Sequence, residues 1–370
     1  MADNLKIVHT ESSCGWGGQE LRVLTEAKGF SDRGHEVTLL CPEEAPIYVA
    51  GQDMGLNTLA LPIARKNVKG LLALRRWFKG RAIDVLNTHS STDSWLSAVA
   101  CQTLSSKPLI VRTRHVSTPI QRNLTTRWLY NRATAHIVTA GEALRQQLHQ
   151  ENQFALDHMT SVPTGIDLDY FNPLDRQQMK AELGLAADYY VGILATLRNW
   201  KGHQYLLDAF NALAEDYPQW GMIIVGDGPQ RKNLEKRIRE LGLNERVQMV
   251  GNRDDVPRWL SAMDVFALPS YGSEGVPQSV MQAMACGLPV VSTTVGAISE
   301  AMVDSETGYL IPPKDVTALE QKLRVLLSNS ELRLQMGAAG RVRAQQFFGL
   351  DNMLDGMSRV FRKALGTVVS

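Results

Sequence analysis

Short aliphatic and β-branched runs alternate with amphipathic stretches along the whole chain. Seven such runs predict β-strands in the first half, at residues 5–10, 37–41, 58–61, 84–88, 109–114, 136–139 and 160–162. The pattern restarts and predicts six more, at residues 190–195, 222–225, 247–250, 265–268, 290–293 and 309–311. Strands that alternate with helices are typical of parallel sheets covered by helices. We therefore expect a doubly wound α/β protein with two sheets.

Residues 274–293 form the most distinctive segment of this pattern. An acidic turn precedes a predicted helix that begins at Pro277 and ends before Gly287, and a buried strand follows from Pro289. Proline suits the first helical turn because the N–H it lacks has no partner there, and glycine suits the left-handed position after a helix. The free N–H groups at such a helix start are a ready site for phosphate.

A polar stripe runs along this helix, because a spacing of four residues aligns Glu274, Gln278 and Gln282. Two interpretations remain open from the spacing alone. The stripe is either the solvated face of an ordinary amphipathic helix or one wall of a binding site for hydroxyl groups.

Composition is that of a folded protein, with 44% hydrophobic and 21% charged residues among 370. No apolar run approaches the roughly 18 residues that a membrane span needs. The first residues lack the basic and apolar regions of a signal peptide, which favours the cytoplasm. The four cysteines have no metal-ligand spacing, and no Asp-x-Asp ends a strand, so we expect reduced thiols and no metal site.

Charge is distributed unevenly. Residues 65–132 contain thirteen basic residues but only Asp84 and Asp93 as acids, a net charge of +11 against +1 for the whole chain. Such a region indicates an anionic partner, for which membrane lipid, a phosphorylated glycolipid and nucleic acid are the candidates. The alternative is a set of solvated helix faces.

Several loops at predicted strand ends carry residues suited to binding or catalysis. The turn Gly15-Trp16-Gly17-Gly18 opens a helix and lacks the third glycine of the dinucleotide fingerprint, so it is either an anion-binding loop or a tight turn. His89 and His115 follow two strands, where a histidine is either structural or part of a site. Arg198 and Lys201 follow a later strand, and their cations suit a departing diphosphate.

The helix segment resembles the signature of the family 4 glycosyltransferases, which are retaining enzymes of the GT-B fold. The match is Glu274 followed by Ala-Met-Ala-Cys-Gly-Leu-Pro-Val-Val at residues 283–291. Further matches lie, in order, at Gly17-Gly18 and at residues 84–89, 162–167, 201–203, 225–229 and 250–251. Together they extend the resemblance over nearly the whole chain.

The resemblance implies two Rossmann-like domains that face a central cleft. Residues 1–167 would form an acceptor-side domain and residues 168–350 a donor domain, with a last helix in residues 351–370 that crosses back to the first. The polar stretch 167–183 is the expected linker. The donor, a nucleoside diphosphate sugar, would be a substrate, so no cofactor is expected.

The resemblance also assigns roles to single residues. The expected catalytic residues are His89, Arg198, Lys201 and Glu274. The expected donor-binding residues are Gly17, Gly18, Met249, Gly251, Asn252, Gly275, Val276, Pro277, Gln278 and Gln282. On the acceptor side we expect His115, Arg112 and Arg114.

Two positions depart from the family pattern. Gln282 stands where relatives have a glutamate, and an amide both donates and accepts hydrogen bonds to ribose hydroxyls. Thr196 stands at the usual arginine position, and Arg198 two residues later is expected to replace that cation.

The resulting hypothesis is a metal-independent, retaining glycosyltransferase that uses a UDP-sugar rather than a GDP-sugar. Its acceptor would be a cell-surface glycan or glycolipid such as lipopolysaccharide, reached in the cytoplasm or at an anionic inner membrane face. A nucleotide-sugar 2-epimerase and a catalytically idle nucleotide-binding subunit are the alternatives. Nucleic acid is not an expected partner, because it would leave the donor motifs unexplained.

Overall fold

The computed structural model describes residues 4–115, 118–272 and 274–366. The chain divides into two compact units. One comprises Met1–Gly165 together with Leu350–Ser370, and the other comprises Ile166–Gly349.

The first unit is built on a seven-stranded parallel sheet with the order β3-β2-β1-β4-β5-β6-β7. Its strands are β1 (Lys6–Thr10), β2 (Glu36–Cys41), β3 (Asn57–Ala60), β4 (Val85–Thr88), β5 (Leu109–Arg114), β6 (His136–Thr139) and β7 (Met159–Ser161). Consecutive side chains of a strand point to opposite faces of a sheet. Ile7 therefore joins the core on one face and Val8 the core on the other.

Helices cover both faces of this sheet. They are α1 (Gly18–Asp32), α2 (Pro46–Asp53), α3 (Val68–Phe78), α4 (Ser91–Gln102), α5 (Leu124–Trp128), α6 (Glu142–Asn152) and, from the end of the chain, α15 (Leu350–Ala364). A π-helical turn, Leu129–Ala133, continues α5, and a short 3₁₀ turn covers Leu156–His158. Helix α15 packs against α1, where the Arg33 guanidinium lies 2.7 Å from both Asp351 and Asp355 carboxylates.

The second unit has a six-stranded parallel sheet with the order β10-β9-β8-β11-β12-β13. Its strands are β8 (Tyr189–Leu194), β9 (Trp220–Val225), β10 (Val247–Gly251), β11 (Val265–Leu268), β12 (Val290–Thr293) and β13 (Gly308–Ile311). Its helices are α7 (Arg176–Glu182), α8 (His203–Leu213), α9 (Arg231–Glu240), α10 (Val256–Ala262), α11 (Gln278–Ala285), α12 (Ile298–Ala301), α13 (Val316–Ser328) and α14 (Ser330–Phe347).

All thirteen predicted strands are present, each within two residues of its predicted ends. The predicted linker at residues 167–183 contains a helix, α7, in its second half. Asp175 caps this helix by accepting a hydrogen bond from the Gln178 N–H. Lys180 anchors it through a buried ion pair with Asp264, at 3.0 Å. Polar composition concealed the helix because its anchor comes from a distant part of the chain.

No helix in the described ranges is long and apolar enough to cross a membrane.

Candidate functional site

Strands β8 and β11 are neighbours at the centre of the second sheet. The strand order runs outward from β8 through β9 to β10 on one side, and from β11 through β12 to β13 on the other. In open α/β sheets ligands bind beyond the carboxyl ends of the strands at such a point. Lys201 lies in the loop after β8, and Glu274 lies in the loop after β11. The Lys201 Nζ is 2.7 Å from Glu274 Oε1 and 2.9 Å from Oε2. Two expected catalytic residues, 73 positions apart in sequence, thus form an ion pair at the switch point.

The backbone around this pair leaves no room for larger residues. Gly202 has a φ of +81°, and a Cβ there would lie 2.0 Å from the Pro269 carbonyl oxygen. Ser270 donates a hydrogen bond of 2.7 Å to Glu274 Oε1. Thr293, at the end of β12, donates to the Ser270 carbonyl at 2.6 Å. The carboxylate is therefore held by a cation and a hydroxyl on a tightly packed loop.

Helix α11 follows Glu274 directly, as the spacing predicted. The structure differs in one detail: the helix begins at Gln278, and Pro277 caps it in an extended conformation with a ψ of 123°. Gly275, Gln278 and Gln282 are half-buried, whereas Val276 and Pro277 are buried. The stripe thus retains accessible amide groups beside the Lys201–Glu274 pair.

Hydrogen bonds join the loops after β8 and β9 and the end of β10, at the carboxyl edge of the second sheet. The Gly226 N–H donates to the Gly251 carbonyl at 2.8 Å, which joins the loop after β9 to the end of β10. The Leu197 N–H donates to the Asp227 carbonyl at 3.0 Å, which joins the loop after β8 to the same turn. Met249 and Gly251 are half-buried, while Asn252 is exposed. The residues expected to hold a nucleobase and a diphosphate therefore lie on connected loops.

Arg198 lies in the same loop as Lys201 but is exposed. Its guanidinium stacks over the Trp200 ring, with 5.2 Å between the Cζ atom and the ring centroid. The Lys201 N–H donates to the Arg198 carbonyl at 3.1 Å. Arg198 is thus near Lys201 in the chain, and its cation is held on an aromatic face.

A row of three stacked histidines lies in the first unit, at the ends of β1, β4 and β5. His9 Nδ1 is 3.0 Å from His89 Nε2, and His89 Nδ1 is 3.0 Å from His115 Nε2. Burial lowers the pKa of His9 to about 3 and holds the pKa values of His89 and His115 well below the usual range. All three rings are therefore neutral at neutral pH.

Two arrangements of the ring protons let both hydrogen bonds form, because each neutral ring carries one N–H. One arrangement leaves a buried N–H at His9 Nε2, which has no partner among the described residues. The other places the outermost N–H at Nδ1 of the half-buried His115 and leaves only a lone pair at His9. Chemistry favours the second, since an orphaned buried N–H is rare. His89, which was expected to touch the donor sugar, has both ring nitrogens engaged in this structure.

His9 was missed from the sequence, although a histidine inside a strongly apolar strand was a usable signal. A second missed residue is Glu11, which is fully buried just after β1. It accepts hydrogen bonds from Ser90 Oγ and, at 2.6 Å, from Gln19 Nε2. Burial, with the nearby Asp93, raises the pKa of Glu11 to about 7. The Gly17-Gly18 turn begins the helix that carries Gln19, so it positions this cluster.

Glu11 is expected to make stability fall as pH rises. In the folded chain its carboxyl keeps a proton up to about pH 7, whereas the unfolded chain releases it near 4.5. The folded state binds more protons in this window, so the free energy of unfolding decreases from pH 4.5 to 7. Between pH 5 and 8, the free energy of unfolding should fall by about 1 to 3 kcal/mol less in Glu11→Gln than in the wild type. Urea titrations at each pH provide the measurement. The exposed Glu43→Gln is the control, and equal pH dependence in all three proteins would contradict the assignment.

Arg112 and Arg114 were expected on the acceptor side, but the structure buries both. The Arg112 guanidinium lies over the Tyr130 ring, at 4.5 Å from its centroid. Arg114 donates to the Tyr130 hydroxyl at 2.9 Å and to the Thr118 carbonyl at 2.8 Å. These contacts hold the end of β5 in place and present neither guanidinium on the surface.

An open pocket of the first unit lies at the carboxyl ends of its central strands. Hydroxyl groups dominate its wall, with one cation and one carboxylate. The lining residues are Ser12, Ser13, Cys14, Glu44, Ala64, Arg65, Ser90, Ser91 and Thr92. Such a wall both donates and accepts hydrogen bonds, as a sugar requires.

Metal-ligating side chains are not clustered within the described ranges, which contain no group of three or more His, Cys, Asp or Glu residues able to hold an ion. The four thiols are all free, and three of them are buried.

Comparison with known proteins identifies the class. Two parallel, doubly wound sheets with alternating helices correspond to the GT-B fold. HepE from Anabaena, solved with UDP, matches it with a TM-score of 0.85 at 22% identity, over 97% of this chain and 100% of its own. At this identity the likeness establishes the fold alone.

Sequence comparison then identifies the family. A model described as Glycosyltransferase Family 4 matches residues 16–170, and one described as Glycosyl transferases group 1 matches residues 175–343. The chain belongs to the family 4 glycosyltransferases, as the resemblance predicted.

Two curated relatives span nearly the same length. The lipopolysaccharide core biosynthesis mannosyltransferase LpsB of Rhizobium meliloti is 28% identical, over 92% of this chain and 97% of its own. An Escherichia coli UDP-Gal:alpha-D-GlcNAc-diphosphoundecaprenol alpha-1,3-galactosyltransferase is 26% identical, over 84% of this chain and 85% of its own. The chain is thus similar to bacterial transferases that act on lipopolysaccharide and glycolipids.

Proposed function

We propose that this glycosyltransferase moves a sugar from a nucleoside diphosphate donor to a cell-surface glycan or glycolipid, with retention of anomeric configuration. The observation that carries the proposal is the Lys201–Glu274 pair beside the start of α11. It puts a cation, a carboxylate and helix N–H groups at the switch point of one sheet. Those groups suit a diphosphate and the hydroxyls of its sugar.

In the proposed reaction, the bond between the anomeric carbon and the diphosphate oxygen breaks as the acceptor hydroxyl attacks from the same face. The departing oxygen takes the acceptor's proton. Lys201, Arg198 and the N–H groups of Gly275 and Val276 stabilise the charge that develops on the diphosphate. Lys201 forms an ion pair with Glu274, so donor binding would share this cation between the carboxylate and the phosphates.

Recognition of the rest of the donor is divided among the neighbouring groups. Glu274 accepts from sugar hydroxyls, while Gln278 and Gln282 bind ribose hydroxyls from the half-buried stripe. Backbone groups of Met249, Gly251 and Asn252 hold the base. For the first unit, family resemblance is the support: it suggests donor contacts for Gly17-Gly18 and for the histidine row, in which His115 carries the outward N–H.

We propose UDP rather than GDP as the nucleotide. The Escherichia coli relative is named as an enzyme that uses UDP-Gal, and HepE was solved with UDP. We propose a lipopolysaccharide or other lipid-linked glycan as acceptor, which the names of both curated relatives support. The charge on the leaving group is assigned to protein cations and helix N–H groups, so turnover should not require an added metal ion.

The test is a donor screen with defined acceptors and EDTA. We expect free UDP to accumulate from one UDP-sugar at a rate that rises with acceptor concentration. The anomeric proton of the product should show the same configuration as the donor in NMR spectra. An inverted product would contradict retention, and release only from a GDP-sugar would contradict the nucleotide assignment. Isomerised free sugar would identify an epimerase instead, and binding without turnover an idle subunit.

A further inference from the structure

An acid-free surface covers one side of the first unit. Residues 62–83 and 118–134 contain no aspartate or glutamate. The cations there are exposed, apart from Arg75, which is half-buried, and within the described chain none lies within 4.0 Å of a carboxylate. They are Arg65, Lys66, Lys69, Arg75, Arg76, Lys79, Arg81, Arg122, Arg127 and Arg132. Elsewhere many surface arginines are paired, as Arg237 is with Asp208 and Arg324 with Asp216.

Apolar side chains project among these cations instead of packing in the core. Helix α3 buries Leu74 and Phe78, whereas Val68 is 68% and Leu72 53% exposed on its outer face. Leu124, at the start of α5, is 83% exposed. Single exposed aliphatic side chains are common on protein surfaces, but their position here among cations indicates a partner that is both anionic and apolar.

The surface is continuous across three helices on the same face of the sheet. Lys66 lies over the Trp95 ring of α4, at 5.6 Å from its centroid. Trp95 stacks with Trp128 of α5, with 6.1 Å between ring centroids. Half-buried tryptophans beside exposed cations are typical of residues at the boundary between lipid headgroups and acyl chains. We name this surface, formed by the outer sides of α3, α4 and α5, the α3–α5 face.

We propose that the α3–α5 face docks on the surface of an anionic lipid bilayer. The cations would meet lipid phosphates, while Val68, Leu72 and Leu124 would enter the headgroup region. A nucleic acid or a water-soluble polyanion satisfies the cations but leaves the aliphatic side chains in water, which is why the bilayer is favoured. Docking would hold the chain at the bilayer surface. Only the further step, that it brings the enzyme to a lipid-linked acceptor, rests on the proposed function.

The test is co-sedimentation of the full chain with vesicles of phosphatidylcholine, with and without about a third phosphatidylglycerol. We expect binding to the anionic vesicles that weakens as salt increases. Lys69→Gln with Arg76→Gln should reduce the partition coefficient about 25-fold, since each cation near an anionic surface contributes roughly a fivefold change. Val68→Ser with Leu72→Ser should reduce it at least about fivefold.

Matched controls lie on the second unit. Lys232→Gln with Arg239→Gln removes the same charge from α9, and Leu334→Ser with Val342→Ser replaces aliphatic residues of similar exposure on α14. Both controls should bind vesicles like the wild type. A midpoint of thermal unfolding equal to that of the wild type would show that all four variants are folded.

Three results would overturn the proposal. Equal binding to neutral and anionic vesicles would exclude charge recognition. If Lys69→Gln with Arg76→Gln abolished binding while Val68→Ser with Leu72→Ser bound like the wild type, the contact would be purely electrostatic. Tight binding of duplex DNA or RNA that is insensitive to Val68→Ser with Leu72→Ser would assign the face to nucleic acid. Sugar transfer is not part of the readout, so failure here is separate from failure of the proposed function.

Discussion

Replacing Lys201 with methionine should reduce sugar transfer by about 100- to 1,000-fold, the usual effect of losing one preorganised group that stabilises transition-state charge. The Lys201 cation lies 2.7 Å from Glu274 Oε1 at the switch point, where the proposed diphosphate would leave. Steady-state rates of UDP release with the donor and acceptor found in the screen provide the measurement. Lys232→Met, an exposed substitution on α9, should leave the rate unchanged.

Stability separates the catalytic role of Lys201 from a structural one. The Glu274 side chain is 10% exposed, so Lys201→Met leaves a largely buried carboxylate without its cation. We expect the free energy of unfolding to fall by about 1 to 3 kcal/mol. Adding Glu274→Gln should restore much of that stability without restoring transfer. If Lys201→Met keeps more than a third of the wild-type rate, Lys201 does not stabilise the leaving group.

Gly296→Ala should disrupt the site although it adds only one methyl group. Gly296 has a φ of +59°, and a Cβ would lie 2.0 Å from the Glu274 carbonyl oxygen and 2.7 Å from its nitrogen. The neighbouring Ala297 N–H donates to that same carbonyl at 3.0 Å. Backbone atoms held in this way cannot move aside without displacing Glu274. We expect a loss of at least about 3 kcal/mol in the free energy of unfolding, together with weaker UDP binding.

A second glycine separates this clash from the strain of a positive φ. Gly55 has a φ of +73° with no atom within 4 Å of an added Cβ, so Gly55→Ala should cost only about 1 kcal/mol and leave UDP binding intact. Urea unfolding and calorimetric titration with UDP check both variants. If Gly296→Ala costs no more than Gly55→Ala, the packing of this glycine on Glu274 does not hold the carboxylate.

Strand positions were readable because the central strands of a parallel sheet are buried on both faces and therefore appear as short, nearly continuous apolar runs. The helix after Glu274 was readable because proline and glycine mark helix ends through local geometry. Helix α7 was not, since its stability depends on Lys180 reaching Asp264, 84 residues away. Local composition alone favoured a linker there.

The candidate site divides in the same way. Lys201, Glu274 and Gln282 were singled out by motif, but the sequence contained no sign that the first two bind each other. His9 and Glu11 escaped notice because a polar side chain at the end of a buried strand shows its partners only when neighbouring strands are aligned. The burial of Arg112 and Arg114 could not be predicted either, since it depends on the ring of Tyr130 beside Arg112 and on its hydroxyl beside Arg114.

By itself, the sequence determined the family, the two doubly wound sheets and the loops that carry the candidate chemistry, because these depend on periodicity and on residues close together in the chain. Tertiary structure alone decided that Lys201 pairs with Glu274 and that His9 and His115 occupy both nitrogens of His89. It also decided that Val68 and Leu72 lie exposed among cations that have no carboxylate within 4.0 Å in the described chain. Each of these depends on groups brought together from distant segments. Burial, charge pairing and proton position are properties of that packing, which no local pattern records.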